Sequence, residues 1–198
     1  NTILKIDFSE VITDSPSTNP FASIDFQTMK ATPQLSFFSA LRAIDAAATD
    51  DRIKGIYLRM NGMGGVSDTA QAEELRATLA QFKESGKFII SYNETYSQGQ
   101  YYLATVADKI YLQKEGDLSW LGMSTTIPFF KGLFDKLGVE YEIFRPTVCK
   151  YKSAVEPYFL KKMSPENREQ NEQMIGSMWQ VLNETVAESR GISVEELN

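Results

Sequence analysis

The chain has 198 residues, 42% hydrophobic and 23% charged, with a net charge of −6, which suits one soluble domain able to build a core without disulfides. It has no histidine and one cysteine, Cys149, so Ser-His-Asp and Cys-His catalysis, His-ligated zinc, Cys-cluster metal sites and internal disulfides are excluded within it. The acidic balance, with no basic stripe among the aromatics, argues against a nucleic-acid partner.

The first element is a short apolar strand over Ile3 to Phe8. Residues Ser9 to Pro33 form a long connection with prolines at 16, 20 and 33, expected to be mobile or extended across a neighbour. Leu35, Phe38, Leu41, Ile44 and Ala48 recur at helical spacing. A buried strand, Ile53 to Met60, ends in Asn61-Gly62-Met63-Gly64-Gly65. Ser67 then caps a helix whose apolar face is Ala72, Leu75, Leu79 and Phe82, with Gly86 as its stop. Phe88 to Tyr92 is a third strand, a short helix starts near Ser97, and Lys109 to Leu112 is a fourth strand. Gln113 to Met123 reads as loop and Thr125 to Phe129 as a strand. Phe130, Leu133, Phe134 and Leu137 mark a helix closed by Gly138, and Val139 to Phe144 reads as another strand. Ser164-Pro165 opens a long helix, with Pro at its first position. Its expected buried face is Met174, Ile175, Met178, Trp179, Leu182 and Val186, and Gly191 closes it.

Strands alternating with helices predict an α/β fold with a mostly parallel sheet and flanking helices. No apolar run approaches the ~20 residues of a membrane span, and no signal peptide is visible. The chain opens almost directly in a strand and closes on Ser193-Val194-Glu195-Glu196-Leu197, where Ser and Glu three apart form a capping box. We therefore expect a piece of a longer protein, 1–198 forming one domain of it, in which a membrane anchor could lie elsewhere. Within this piece, 1–163 is expected to be an α/β core with the 9–33 connection, and 164–198 a helical segment.

Three stretches could carry chemistry. The turn Gly62 to Gly65 follows a buried strand and opens a helix, so its backbone N–H groups could face a phosphate or an oxyanion. Its spacing matches neither a P-loop nor a dinucleotide fingerprint, and a plain tight turn is the alternative. Tyr96-Ser97-Gln98-Gly99-Gln100-Tyr101-Tyr102 lies at a strand-to-helix junction, where a nucleophile would be displayed; Ser97 equally suits a helix N-cap. Tyr151-Lys152-Ser153-Ala154-Val155-Glu156-Pro157 sets a lysine among apolar residues. A desolvated lysine can act as a general base, although Glu156 could neutralise Lys150 or Lys152, and a surface lysine is the plain reading.

Together these stretches resemble the bacterial signal peptide peptidase A family of Ser/Lys-dyad peptidases. The resemblance runs through Asp50-Asp51-Arg52-Ile53-Lys54-Gly55-Ile56, Gly64-Gly65, Tyr96 to Ala104, and Phe144-Arg145 through Pro157, with Met163-Ser164-Pro165 after it. It is similar to the N-terminal half of the long form, in which two tandem copies share one fold. The resemblance implies a ClpP/crotonase-like fold and makes Lys152 the general base. The family's serine lies in a Ser-Gly-Gly-Tyr motif of the other half; here the matching place reads Gln98-Gly99-Gln100-Tyr101, so Gln98 stands at the nucleophile position. Gly64 and Gly65 resemble the turn that lends the oxyanion hole in the active copy. The resemblance further implies partners and a place: a C-terminal domain carrying the serine, a homo-oligomer, cleaved apolar signal peptides as substrate, and the outer face of the bacterial cytoplasmic membrane. Neither metal nor cofactor is expected. Two other readings stand beside it: a non-catalytic scaffold for peptide binding and oligomerisation, and a crotonase-type acyl-CoA enzyme, which would leave the Lys-Ser-Ala block unexplained.

Overall fold

A computed structural model describes residues 1–7, 24–25, 30–31, 36–60, 69–146 and 149–197. These fall into two compact units, 1–121 with 189–191, and 122–188 with 192–198.

The first unit is built on a parallel sheet. Its strands are β1 (Thr2–Asp7), β4 (Ile53–Arg59), β5 (Phe88–Asn93) and β7 (Lys109–Leu112), in the spatial order β1-β4-β5-β7. Between β1 and β4 in the chain come a two-residue antiparallel pair, β2 (Ile24–Asp25) with β3 (Lys30–Ala31), and helix α1 (Phe37–Thr49). Apart from that pair, the 9–33 connection lies outside the described residues. Parallel strands need crossovers, and these are α2 (Thr69–Glu84) and α3 (Gln98–Ala104). A second short parallel pair joins β6 (Tyr96–Ser97) to β8 (Leu118–Ser119), inside a stretch whose composition had read as plain loop.

The core is the apolar periodicity made physical. Ile56, Leu58, Met60 and Ile89 of the strands and Leu75, Leu79 and Phe82 of α2 are all essentially closed to solvent. In α1 the buried set is Phe37, Ala40, Leu41, Ile44 and Ala47. Phe38, expected on that face with Leu41 and Ile44, is 63% exposed, and Phe37 is buried in its place. Ser36 caps α1, its Oγ accepting from Ser39 N at 3.2 Å. At the other end Lys87 Nζ donates to the carbonyls of Ala47 and Asp50, a cation placed on the last-turn carbonyls. Gly86, at φ 77°, ends α2 as expected.

The second unit holds α4 (Lys131–Leu137), α5 (Glu156–Phe159), α6 (Pro165–Arg190) as far as Glu188, and α7 (Val194–Leu197). Gly138 and Gly191 close α4 and α6 at φ 67° and 65°, and Ser193 with Glu196 forms the expected capping box. Phe134 stacks on Tyr158 and tilts against Tyr141, and Phe130 N donates to Pro157 O, tying α4 to α5.

Two expectations fail here. Thr125–Phe129 and Val139–Phe144 are not strands; their residues favour extended backbone, but strand propensity is realised only against a partner. Of the expected face of α6, only Val186 is buried, while Met174 and Met178 are 54% and 40% exposed. Periodicity sets the phase of a helix; what covers it is a separate matter.

Candidate active site

In parallel α/β sheets ligands gather beyond the carboxyl ends of the strands, and the first unit has a tightly held junction there. Met60, just past β4, donates its N–H to Asn93 Oδ1 at 2.9 Å and accepts from Gln100 Nε2 at 2.8 Å. Asn93, fully buried at the end of β5, donates onward to Thr95 O. Residues 61–68, which include Gly62, Gly64, Gly65 and Ser67, lie outside the described residues.

Ser97 is the N-cap of α3. Its Oγ accepts from Gln100 N, and Gln100 Oε1 accepts from Ser97 N at 2.8 Å, completing a capping box. Gln100 thus uses both ends of its amide, one on the cap and one on Met60. Gln98 Oε1 accepts from Leu121 N at 3.3 Å. Tyr96 is core, its hydroxyl meeting Ser91 Oγ at 2.9 Å and Tyr111 O at 3.3 Å; Tyr101 packs edge-on against Tyr96 and Trp120. The junction therefore offers amides and a capping serine, but no activated hydroxyl.

Lys152 belongs to the second unit. Its segment is a pair of turns, not an extended run: Lys152 N donates to Cys149 O, and Glu156 N to Ser153 O. Lys152 is exposed and lines a concavity of about 440 Å³ with Phe144, Pro146, Ala154, Val155 and Gln170. Lys150 lines a different one, with Phe159, Leu160 and Glu166. Both neighbours of Lys152 reach α6: Tyr151 Oη donates to Glu169 Oε2 at 3.2 Å and Ser153 Oγ to Gln170 Oε1 at 3.4 Å. Glu169 also pushes the Tyr151 phenol above its usual range.

Glu156 is the residue that sequence reasoning misjudged. By sequence it could neutralise Lys150 or Lys152. Instead its carboxylate is 1% exposed and turned to the start of α6. Oε1 accepts from Ser164 Oγ at 2.7 Å, Oε2 from Asn167 Nδ2 at 2.9 Å and Ser164 N at 3.2 Å, and Arg145 lies 4.0 Å away. Burial pushes this carboxyl up, but Ser164, Asn167 and Arg145 together outweigh it and hold it below the usual glutamate range. Ser-Pro before a helix signalled the cap; nothing in the sequence showed that the carboxylate eight residues earlier would sit on it.

A group ionised more readily in the folded state stabilises fully above its unfolded pKa, and that stability is lost as pH falls through the folded one. Urea midpoints of wild type and Glu156→Gln should therefore converge on acidification below the ordinary glutamate range. A gap between them that stays constant through that range would show that these hydrogen bonds do not favour the ionised form.

Among the described residues no group of acidic residues or cysteine could hold a metal ion, and no helix is long and apolar enough to cross a membrane.

Residues 81–198 match the model of peptidase family S49. Over 98% of its length the chain is 39% identical to Protease 4 of Salmonella typhi, covering 32% of that protein. Over 83% it is 38% identical to Protease 4 of Haemophilus influenzae, covering 26%. It is 28% identical to the chloroplastic serine protease SPPA of Arabidopsis thaliana over 76% of the chain, covering 22% of that protein. The chain thus spans about a third or less of the length of these relatives.

Proposed function

The chain belongs to peptidase family S49, and from that premise we propose that it supplies the lysine general base, Lys152, of a serine endopeptidase whose nucleophile lies outside it. The observation that carries the reading is Lys152 itself: an exposed amine on an anchored turn, lining a concavity with Phe144, Arg145, Pro146, Val155 and Gln170. With no histidine in the chain, an amine is the natural base for a serine hydroxyl, which it must reach at roughly 2.6–3.2 Å in its neutral form. The serine would come from another domain of the same protein or from a second subunit, and that partner would desolvate the amine on assembly. Gly64 and Gly65 are the candidates for an oxyanion contact. Cleaved signal peptides, apolar and extended, are the substrate class we assign. An oligomer at the outer face of the cytoplasmic membrane, anchored through another segment, is the setting that fits.

The division of labour makes the isolated chain inert. Gln98 offers an amide where a hydroxyl would be needed to form an acyl-enzyme. Purified chain incubated with a chromogenic ester or an apolar peptide should give no turnover above buffer. Activity that survives repurification and disappears in Ser97→Ala would overturn this.

The scaffold reading draws on a different observation, the exposed Met174, Met178 and Val181 of α6 with Leu133 and Leu137 of α4. It requires that the whole protein keep its activity without Lys152.

A further inference from the structure

Resting on that reading of Lys152, we propose that Glu156 is its positioning residue: a buried carboxylate that fixes the lysine-bearing turn to the N-terminus of α6. Three donors from Ser164 and Asn167 converge on it, Arg145 stands behind it, and its own N–H closes the turn onto Ser153 O, one residue from Lys152. The contacts from Tyr151 and Ser153 to α6 are exposed and long, so they orient the turn only weakly. Hydrogen bonds to an ionised group are roughly twice as strong as neutral ones, and this one is shielded from water. The helix end adds its own preference for negative charge.

A buried carboxylate is a costly way merely to fill space, since apolar groups of similar size often stabilise as well or better. What it adds is direction. Its two oxygens have separate donors, so the joint has one geometry, and the turn carrying Lys152 inherits it. A flexible four-carbon side chain acts as a base only when its backbone is held where the amine reaches the hydroxyl.

The test is kinetic, in the whole protein, on a chromogenic ester, and per folded molecule. Glu156→Gln should lower kcat on the order of 10- to 100-fold, as a small misplacement of a base does, and leave KM within about twofold. Glu156→Gln combined with Asn167→Asp lets the new amide donate to residue 167 but leaves the Ser164 N–H without its acceptor, so it should recover part of kcat. Wild-type kcat in Glu156→Gln, or a double variant that regains its melting temperature but not kcat, overturns the proposal. Should Glu156→Gln fail to fold, Ser164→Ala, which removes one donor, decides it: a lowered kcat supports the proposal and an unchanged one overturns it. Lys152→Ala, run in parallel, separates the failures. If Lys152→Ala is dead and Glu156→Gln fully active, only the positioning role falls; if Lys152→Ala is active, the reading of Lys152 falls with it.

Discussion

Lys152→Ala in the whole protein should abolish acylation of its serine by a fluorophosphonate while fold and assembly stay intact. The loss expected for a general base is on the order of 10²- to 10⁴-fold. In this chain the side chain is exposed, and truncating an exposed residue usually changes stability by less than about 0.5 kcal/mol, so the chain's own fold should survive the change. Lys152→Arg should be as inactive as the alanine variant, because a guanidinium stays protonated and cannot accept the serine proton. Lys150→Ala is the control of matching charge and solvent exposure. Its side chain lines a separate concavity, so labelling should stay near wild type. Equal labelling in wild type and Lys152→Ala would remove the base from this chain and favour the scaffold.

The parts of this molecule that were legible in the sequence are those governed by local rules. Gly86, Gly138 and Gly191 mark helix ends because a left-handed residue is needed there. Leu75, Leu79 and Phe82 fall on one face because a helix repeats every 3.6 residues. Ser97 reads as a cap because a short hydroxyl satisfies the first free N–H groups. The family motif pointed to Lys152, while the chemistry of its own neighbours left a surface lysine equally open.

What escaped was non-local. Asn93 and Gln100 lie far from Met60 in sequence, and only the sheet brings their amides to its N–H and carbonyl. Glu156 lies close to Lys150 and Lys152 in sequence, but folding turns it to Ser164 and Asn167. Val139–Phe144 has the composition of a strand and no ladder. The open face of α6 is a related case: Met174 and Met178 are apolar and correctly phased, yet exposed.

Gly55→Val should destabilise the first unit strongly, costing about 3 kcal/mol, at the upper end of overpacking effects. Gly55 lies in β4, between β1 and β5, paired with Ile3 on one side and Phe88 on the other. A Cβ placed there would stand 2.5 Å from two ring carbons of Phe88 and 2.6 Å from its carbonyl oxygen. The ring, 37% exposed, can swing toward solvent. The carbonyl cannot move without separating β4 from β5, and with them the strand ends that carry Met60 and Asn93. Even Gly55→Ala should therefore lower the urea midpoint, with an unchanged m-value if the fold survives. Removing the ring tells the two obstacles apart. Gly55→Ala in a Phe88→Ala background should recover only a small part of the loss, because the carbonyl contact remains. Full recovery in that double variant would mean that the ring alone excludes a side chain at Gly55, and that the two strands could accept one without moving.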